Sequence, residues 1–157
     1  MKLTSPVVEN GQQLPRKYTK EGENVSPPLQ WHDVPDGAQE LAIVLENVVP
    51  ATREAQLQWL CYGIAPQQNG LPEGFKHTAA PEQPLPVRQG RNALGNVGYD
   101  GPIGSVGRTF RYRFRLLALD HPSGLDPGAD YATFQRAIAG HVRDEAALEV
   151  TWERPRP

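Results

Sequence analysis

The sequence predicts a mainly β protein built from antiparallel strands, with one helix near its end. The chain has 15 Gly and 16 Pro among 157 residues, which favours many turns and short elements over a helical bundle. Phe110, Tyr112 and Phe114 alternate with Arg111 and Arg113, and period two over such a length is typical of a long strand with one buried face. A continuous apolar run at 41–45 predicts a strand that is covered on both faces.

The first half of the chain contains three predicted strands. Leu29 to Val34 is a short one with Trp31 as its apolar anchor, and a central strand follows at 41–47. A second central strand is predicted at 57–64. If its alternation is strict, Leu57, Trp59 and Cys61 share one face, and Gln58, Leu60, Tyr62 and Ile64 share the other.

The second half begins with a long loop. Residues 65–107 hold no periodic segment, and the glycines spaced along 95–107 indicate an ordered loop where the backbone comes close to something. The long strand is predicted at 108–119 and the closing strand at 146–153. Between them, Asp130 can cap a helix at 131–142, in which His141 falls on the apolar stripe as a core histidine.

The totals predict one domain, 1–157, in a cytoplasmic protein. A net charge of −2 gives no reason to expect nucleic acid or a membrane surface as a partner. The single cysteine, Cys61, excludes an internal disulfide and fits a reducing compartment. No run is apolar enough to span a bilayer, and no pair of histidines has metal-ligand spacing, so we predict no membrane insertion, no metal and no cofactor.

Several short motifs follow one another along nearly the whole chain. They are Tyr18-Thr19, Gly22-Glu23-Asn24-Val25-Ser26-Pro27-Pro28-Leu29, Trp31, Trp59, Tyr62, Asn92, Gly95, Gly98-Tyr99, Gly101-Pro102, Arg111-Tyr112-Arg113-Phe114 and Gly140-His141-Val142. Together they resemble the phosphatidylethanolamine-binding protein family, which includes Raf kinase inhibitor protein, and most closely its short bacterial branch. The resemblance implies an antiparallel β-sandwich with a second, smaller sheet and a C-terminal helix.

The resemblance also implies a small pocket for phosphoryl or carboxylate groups. In the family this pocket is lined by an Asp from an Asp-Pro-Asp-x-Pro loop, a His before the strand Trp, a Gly-Pro loop and a His-Arg-Tyr sequence. Here the Asp-rich loop reads Glu46-Asn47-Val48-Val49-Pro50, which puts Val48 or Val49 at the Asp position. The His before Trp59 is replaced by Gln58, His-Arg-Tyr by Phe110-Arg111-Tyr112, and a further His by Gly107.

We therefore predict a ligand-binding site with few charged groups, formed by Gln58, Trp59, Gly101, Pro102, Phe110 and Tyr112. For Trp59 a role in the core is an equal alternative. Gln58 carries no charge and Phe110 donates no hydrogen bond, so a small anionic or polar ligand should bind weakly. Arg108 or Arg88 would have to restore the positive charge.

The leading hypothesis is a ligand-binding or regulatory module that is not an enzyme. One alternative is a vestigial pocket in a protein that acts through a homodimer or a protein partner, and ligand-dependent thermal shifts would separate the two. A hydrolase is the alternative of a different class, and a turnover screen with esters and phosphoesters, with Tyr112→Phe as control, would test it. A buried Cys61 and the absence of a Gly-x-Ser-x-Gly sequence argue against it.

Overall fold

The computed structural model describes residues 1–48 and 56–157. Within these ranges, eight strands form two antiparallel sheets and one α-helix follows the seventh strand. The elements are β1 (Lys2–Thr4), β2 (Leu29–His32), β3 (Glu40–Asn47), β4 (Gln56–Ile64), β5 (Gly70–Leu71), β6 (Arg88–Gln89), β7 (Phe110–Leu119), α1 (Tyr131–Ile138) and β8 (Val142–Trp152). The smaller sheet has the order β1-β2-β5 and the larger one β6-β4-β3-β7-β8, which confirms the predicted fold class.

Strand β3 is the centre of the larger sheet and is buried on both faces, as its apolar run predicts. Leu41, Ile43 and Leu45 belong to the main core, which they share with Trp31 of the smaller sheet. On the opposite face, Ala42 and Val44 belong to a second cluster that contains Phe134 and Ile138 of α1. The sheet therefore separates two cores.

The last helix is shorter, and the last strand longer, than the sequence predicts. Asp130 accepts a hydrogen bond from the backbone N–H of Thr133 at 2.7 Å and caps α1, which ends at Ile138, just before Gly140 with its left-handed φ of +79°. Strand β8 begins at Val142 because it pairs with β7 along its whole length. The prediction that His141 is a helical core residue is wrong: 45% of its side chain is exposed, and its Nδ1 lies 3.0 Å from Asp120 Oδ1.

The three shortest strands, β1, β5 and β6, have two or three residues each, and β5 and β6 lie in the predicted loop at 65–107. Such strands carry no periodic pattern, and they exist because a longer strand supplies their hydrogen bonds. The segment at 11–14 also forms backbone hydrogen bonds with β8. The N–H of Gly11 donates to Glu149 O at 2.7 Å, and the N–H of Leu14 to Thr151 O at 2.9 Å.

The arginines of β7 lie on the face away from the main core. Arg113 pairs with Glu149 at 3.0 Å, and Arg115 pairs with Glu46 at 2.8 Å, whereas Arg111 is exposed. Two of the three arginines are thus matched by acids on neighbouring strands, which is the ordinary arrangement for charges on a sheet face.

Candidate ligand-binding site

A β-bulge at Gln58 determines the face of the sheet on which the side chains of β4 lie. Leu45 pairs with Trp59 and Glu46 pairs with Leu57, so Gln58 is an extra residue in β4. Because of the bulge, Leu57 joins the cluster under α1 while Trp59 enters the main core. The strict alternation predicted for 57–64 is therefore wrong.

The Gln58 side chain is 5% exposed and faces the loop at 100–101. With the amide oriented to suit its neighbours, Nε2 donates to Asp100 O at 2.9 Å and to Gly101 O at 3.2 Å. The backbone N–H of Asp100 donates in return to Gln58 O at 3.0 Å. The bulge thus places both the main chain and the side chain of Gln58 against the glycine-rich loop.

Trp59 lies in the main core with no exposed surface. Its indole N–H donates to Gln89 Oε1 at 2.7 Å, and its ring meets the Tyr99 ring edge-on, with centroids 5.4 Å apart. Gln89 Nε2 in turn donates to Lys76 O at 2.7 Å and Thr78 O at 2.9 Å. Trp59 therefore anchors the loop at 76–78 to the sheet.

Phe110 and Tyr112 lie on the core face of β7, as the pleat predicts, and the exposed Arg111 lies between them. The Tyr112 hydroxyl donates to Ile103 O at 3.3 Å, and burial raises the Tyr112 pKa to about 12. Phe110 is half-buried, and the guanidinium of Arg108 lies over its ring, 4.9 Å from the centroid. Arg108 therefore does reach this end of β7, where its guanidinium covers the Phe110 ring.

Gly101 and Pro102 pack closely against the segment at 18–24 and form hydrogen bonds with it. A Cβ atom at position 101 would lie only 2.2 Å from Tyr18 O, so only glycine fits. The Gly101 N–H donates to Asn24 Oδ1 at 2.7 Å, and the Lys20 N–H donates to Pro102 O at 2.9 Å. The sequence predicts a close backbone approach in this loop, and its partner is the chain itself.

Asp100 is the buried polar centre of this region, and sequence reasoning did not single it out. Its carboxylate, 4% exposed, accepts hydrogen bonds from Lys20 Nζ at 2.8 Å, Asn24 Nδ2 at 3.1 Å, Asn92 Nδ2 at 2.7 Å and Asn96 Nδ2 at 2.9 Å. Burial acts to raise the Asp100 pKa, but these donors outweigh it and the pKa is lowered. The signal was available, because the family motifs include Asn24 and Asn92, and the motif pieces Gly98-Tyr99 and Gly101-Pro102 flank this position.

Two further polar residues lie near Tyr112. Asn47 is its direct partner across β3 and β7, so the two side chains leave the sheet on the same face. Glu21 Oε1 accepts hydrogen bonds from the Gly104 N–H at 2.6 Å and from the Trp152 indole N–H at 3.1 Å, and its charge contributes to the raised Tyr112 pKa. Of the two candidates for the Asp position, Val48 is half-buried and Val49 lies outside the described residues.

The other candidates for chemistry are the thiol of Cys61 and clusters of metal-ligating side chains. Cys61 is fully buried, and burial raises the pKa of its thiol. In the ranges 1–48 and 56–157, no group of three His, Cys, Asp or Glu side chains is placed to hold a metal ion. None of the helices in the described part of the chain has the length and apolar character needed to cross a bilayer.

A cavity of about 570 Å³ lies between β1 and β8, away from the predicted site. Met1, Leu3, Val8, Ala146 and Leu148 are among the residues that line it, and none of the six predicted ligand-binding residues does. Its opening is mainly apolar, so it does not provide the chemistry of an anion pocket.

Comparison with known proteins identifies the family. The model of the phosphatidylethanolamine-binding protein family matches residues 4–153. The chain belongs to this family. The phosphatidylethanolamine-binding protein fold brings the motif pieces at 18–24, 92 and 98–102 together around Asp100 and Gly101.

Relatives of similar length support the assignment. The UPF0098 protein of Methanothermobacter thermautotrophicus is 37% identical over 148 residues, which cover 94% of this chain and 95% of the relative. The UPF0098 protein of Chlamydia trachomatis is 33% identical, with 98% of this chain and 99% of the relative covered. These names state no activity.

Solved structures show the same fold. The phosphatidylethanolamine-binding protein homologue CT736 of Chlamydia trachomatis superposes with a TM-score of 0.84 at 31% identity and covers 98% of this chain and 97% of its own. E. coli YbcL, described as a member of the mammalian family, superposes with a TM-score of 0.88 at 23% identity, with 98% of each chain covered.

Proposed function

We propose that this protein is a non-enzymatic ligand-binding or regulatory module whose family anion pocket is remodelled and weakened. One observation carries the proposal. The polar groups at the positions that match the family pocket already donate their hydrogen bonds to acceptors within the protein.

Three donors at the predicted site residues have internal partners. Gln58 Nε2 donates hydrogen bonds to two backbone carbonyls. The Tyr112 hydroxyl donates to Ile103 O, and the Gly101 N–H donates to Asn24 Oδ1. Phe110 has no donor at all. A phosphate would have to displace these internal acceptors, and each hydrogen bond to a charged group that it fails to gain is worth about 1.5–3 kcal/mol.

The charges near the site also disfavour an anion. The family's pocket histidines can become positive near neutral pH, whereas Gln58 and Phe110 cannot. The carboxylate of Glu21 accepts the hydrogen bonds of the Gly104 and Trp152 N–H groups close to Tyr112 and adds a negative charge there. Arg108 is a nearby cation among the described residues, and its guanidinium is stacked on Phe110.

A second candidate function is self-association or binding of a protein partner along the edge of β8. The segment at 11–14 covers this edge only near Glu149 and Thr151. That segment does not reach the first half of the strand, where Val142 is 41% exposed and Asp144 pairs with the N-terminal amine of Met1 at 2.8 Å. The middle of the strand, at 146–148, borders the mainly apolar cavity beside β1. An open strand edge is a surface that a second chain can pair with.

Restoring histidines tests the proposal. Gln58→His/Phe110→His should gain phosphate-dependent stability at pH 6, where both imidazoles can carry a proton. With a Kd of about 1 mM, 10 mM phosphate would stabilise this variant by about 1.4 kcal/mol, which raises Tm by about 3–5 °C. The wild-type protein should not respond in the same thermal scan.

Gln58→Asn/Phe110→Leu is the matched control, because it disturbs the same positions without adding a charge. A wild-type Tm that rises with phosphate as much as that of the histidine variant would contradict the proposal. So would a histidine variant that responds no more than this control.

A further inference from the structure

A second cavity, of about 450 Å³, lies beside the C-terminal tail. Its lining consists of three arginines, one glutamate and three apolar residues: Arg16, Arg154, Arg156, Glu21, Val106, Pro155, Pro157. None of the six predicted ligand-binding residues is among them. This cavity shares Glu21 with the surroundings of Tyr112, but its other lining residues lie outside the site discussed above, and the inference does not depend on the proposed function.

The lining of this cavity carries more positive than negative charge. Within the ranges 1–48 and 56–157, neither Arg154 nor Arg156 forms an ion pair. Arg16 donates from Nε to the backbone carbonyl of Glu21 at 3.0 Å, so its terminal nitrogens stay available. Glu21, the acidic side chain of the lining, is itself bonded to Gly104 and Trp152. In a chain with a net charge of −2, this is a marked local excess of cations.

The loop at 105–108 holds the arginines of the tail in place. Val106 forms a parallel β-bridge with Arg154, and Arg156 Nη2 lies 3.7 Å from the position a Cβ atom would take at Gly107. Arg108, on the same loop, is fixed over the Phe110 ring. The tail therefore runs along a folded loop and presents its guanidinium groups beside Arg16.

Such an arrangement suits a ligand with more than one negative group. A guanidinium is a planar fork that can bind phosphate or carboxylate through two parallel hydrogen bonds. Three forks around one opening match two or three anionic groups better than one. The volume lies in the range of small-molecule sites, roughly 300–1,000 Å³, and Val106, Pro155 and Pro157 provide apolar wall for an organic body.

We propose that this arginine cavity binds a small organic polyanion that carries at least two phosphate or carboxylate groups. Arg16, Arg154 and Arg156 hold the anionic groups. Glu21 limits the affinity by its own charge.

Calorimetric titration at pH 7 and low salt tests the proposal, with inorganic triphosphate and citrate as probes and orthophosphate as the single-group reference. We expect at least one of the two probes to bind about tenfold more tightly than orthophosphate, and the better probe identifies the preferred group. Arg154→Ala/Arg156→Ala should lose about tenfold in affinity for each arginine removed. Glu21→Gln keeps an acceptor for Gly104 and Trp152 but removes the charge, and it should tighten binding several-fold.

Arg111→Ala is the control, because it removes one positive charge from the opposite face of β7 and should leave binding within about twofold. The comparison of affinities uses only variants whose Tm equals that of the wild-type protein. A change in affinity then does not come from altered folding. No preference for either probe over orthophosphate would overturn the proposal. Unchanged affinity in Arg154→Ala/Arg156→Ala would also overturn it. So would an affinity loss in Arg111→Ala that equals, per positive charge removed, the loss in that double variant.

Discussion

Asp100→Ala is expected to lower the free energy of unfolding by about 4 kcal/mol. Removing one partner of a buried ion pair costs about 3–5 kcal/mol, because the other partners lose their interactions in a poorly solvated site. Lys20 is 32% exposed and can turn to water, but Asn92 is 6% exposed and would lose its acceptor. Since small proteins are stable by only about 5–15 kcal/mol, this is a large share of the total.

Denaturant unfolding at pH 7 measures the effect, with Glu149→Ala as the matched control. Glu149 pairs with Arg113 at 3.0 Å, but their side chains are 40% and 37% exposed. Such a pair contributes about 0–1 kcal/mol. Equal losses in the two variants would show that Asp100 is not the structural centre of the loop region.

The same comparison has a defined pH dependence. The Asp100 pKa is lowered in the folded state, so the contribution of this carboxylate is fully present above the unfolded pKa of about 3.9. It is lost as the pH falls through the lower, folded pKa. The difference in stability between wild type and Asp100→Ala should therefore shrink below about pH 4.

Gly101→Ala is expected to cost about 3 kcal/mol and to displace the segment at 18–24. The added Cβ atom would lie 2.2 Å from Tyr18 O and 2.9 Å from Thr19 Cα, which are backbone atoms that cannot rotate away. Overpacking of this kind costs about 1–3 kcal/mol. Separation of the segments would also break the Gly101–Asn24 and Lys20–Pro102 hydrogen bonds, each worth about 0.5–1.5 kcal/mol.

Gly37→Ala is the control for this prediction. Gly37 has a φ of +87° with nothing within 4 Å of an added Cβ, so only backbone strain of about 1–2 kcal/mol opposes alanine there. Thermal unfolding compares the two variants. A Gly101→Ala protein as stable as wild type would mean that the loop can move apart from the 18–24 segment at little cost.

The long strands could be predicted because each carries its own pattern. β3 is buried on both faces and reads as a continuous apolar run, whereas β7 has one core face and reads as an alternation. Both patterns can be seen in the sequence. The helix end was misplaced because Phe134, Ile138 and His141 continue a helical spacing, although Gly140 ends the helix. The strands of two or three residues, β5 and β6 among them, depend on partners distant in sequence and leave no local signal.

The candidate site was predicted as a set of positions but not as a set of interactions. The glycine loop and the core face of β7 follow from conformational freedom and the pleat. The bulge at Gln58 does not, because it is visible only in the pairing of β4 with β3. Asp100 was missed for a related reason: its four side-chain partners come from two separate segments, and a single acidic residue in a loop looks solvated.

The central claim is that the donors of the family pocket are used within the protein. Calorimetric titration of the wild-type protein with orthophosphate and phosphoethanolamine, near neutral pH and at low salt, tests it most directly. Losing two bonds to charged histidines would cost about 3–6 kcal/mol if the losses add, whereas a millimolar ligand is bound by only about 4 kcal/mol. For both ligands we expect heats no larger than those of dilution. A sub-millimolar Kd for either would contradict it.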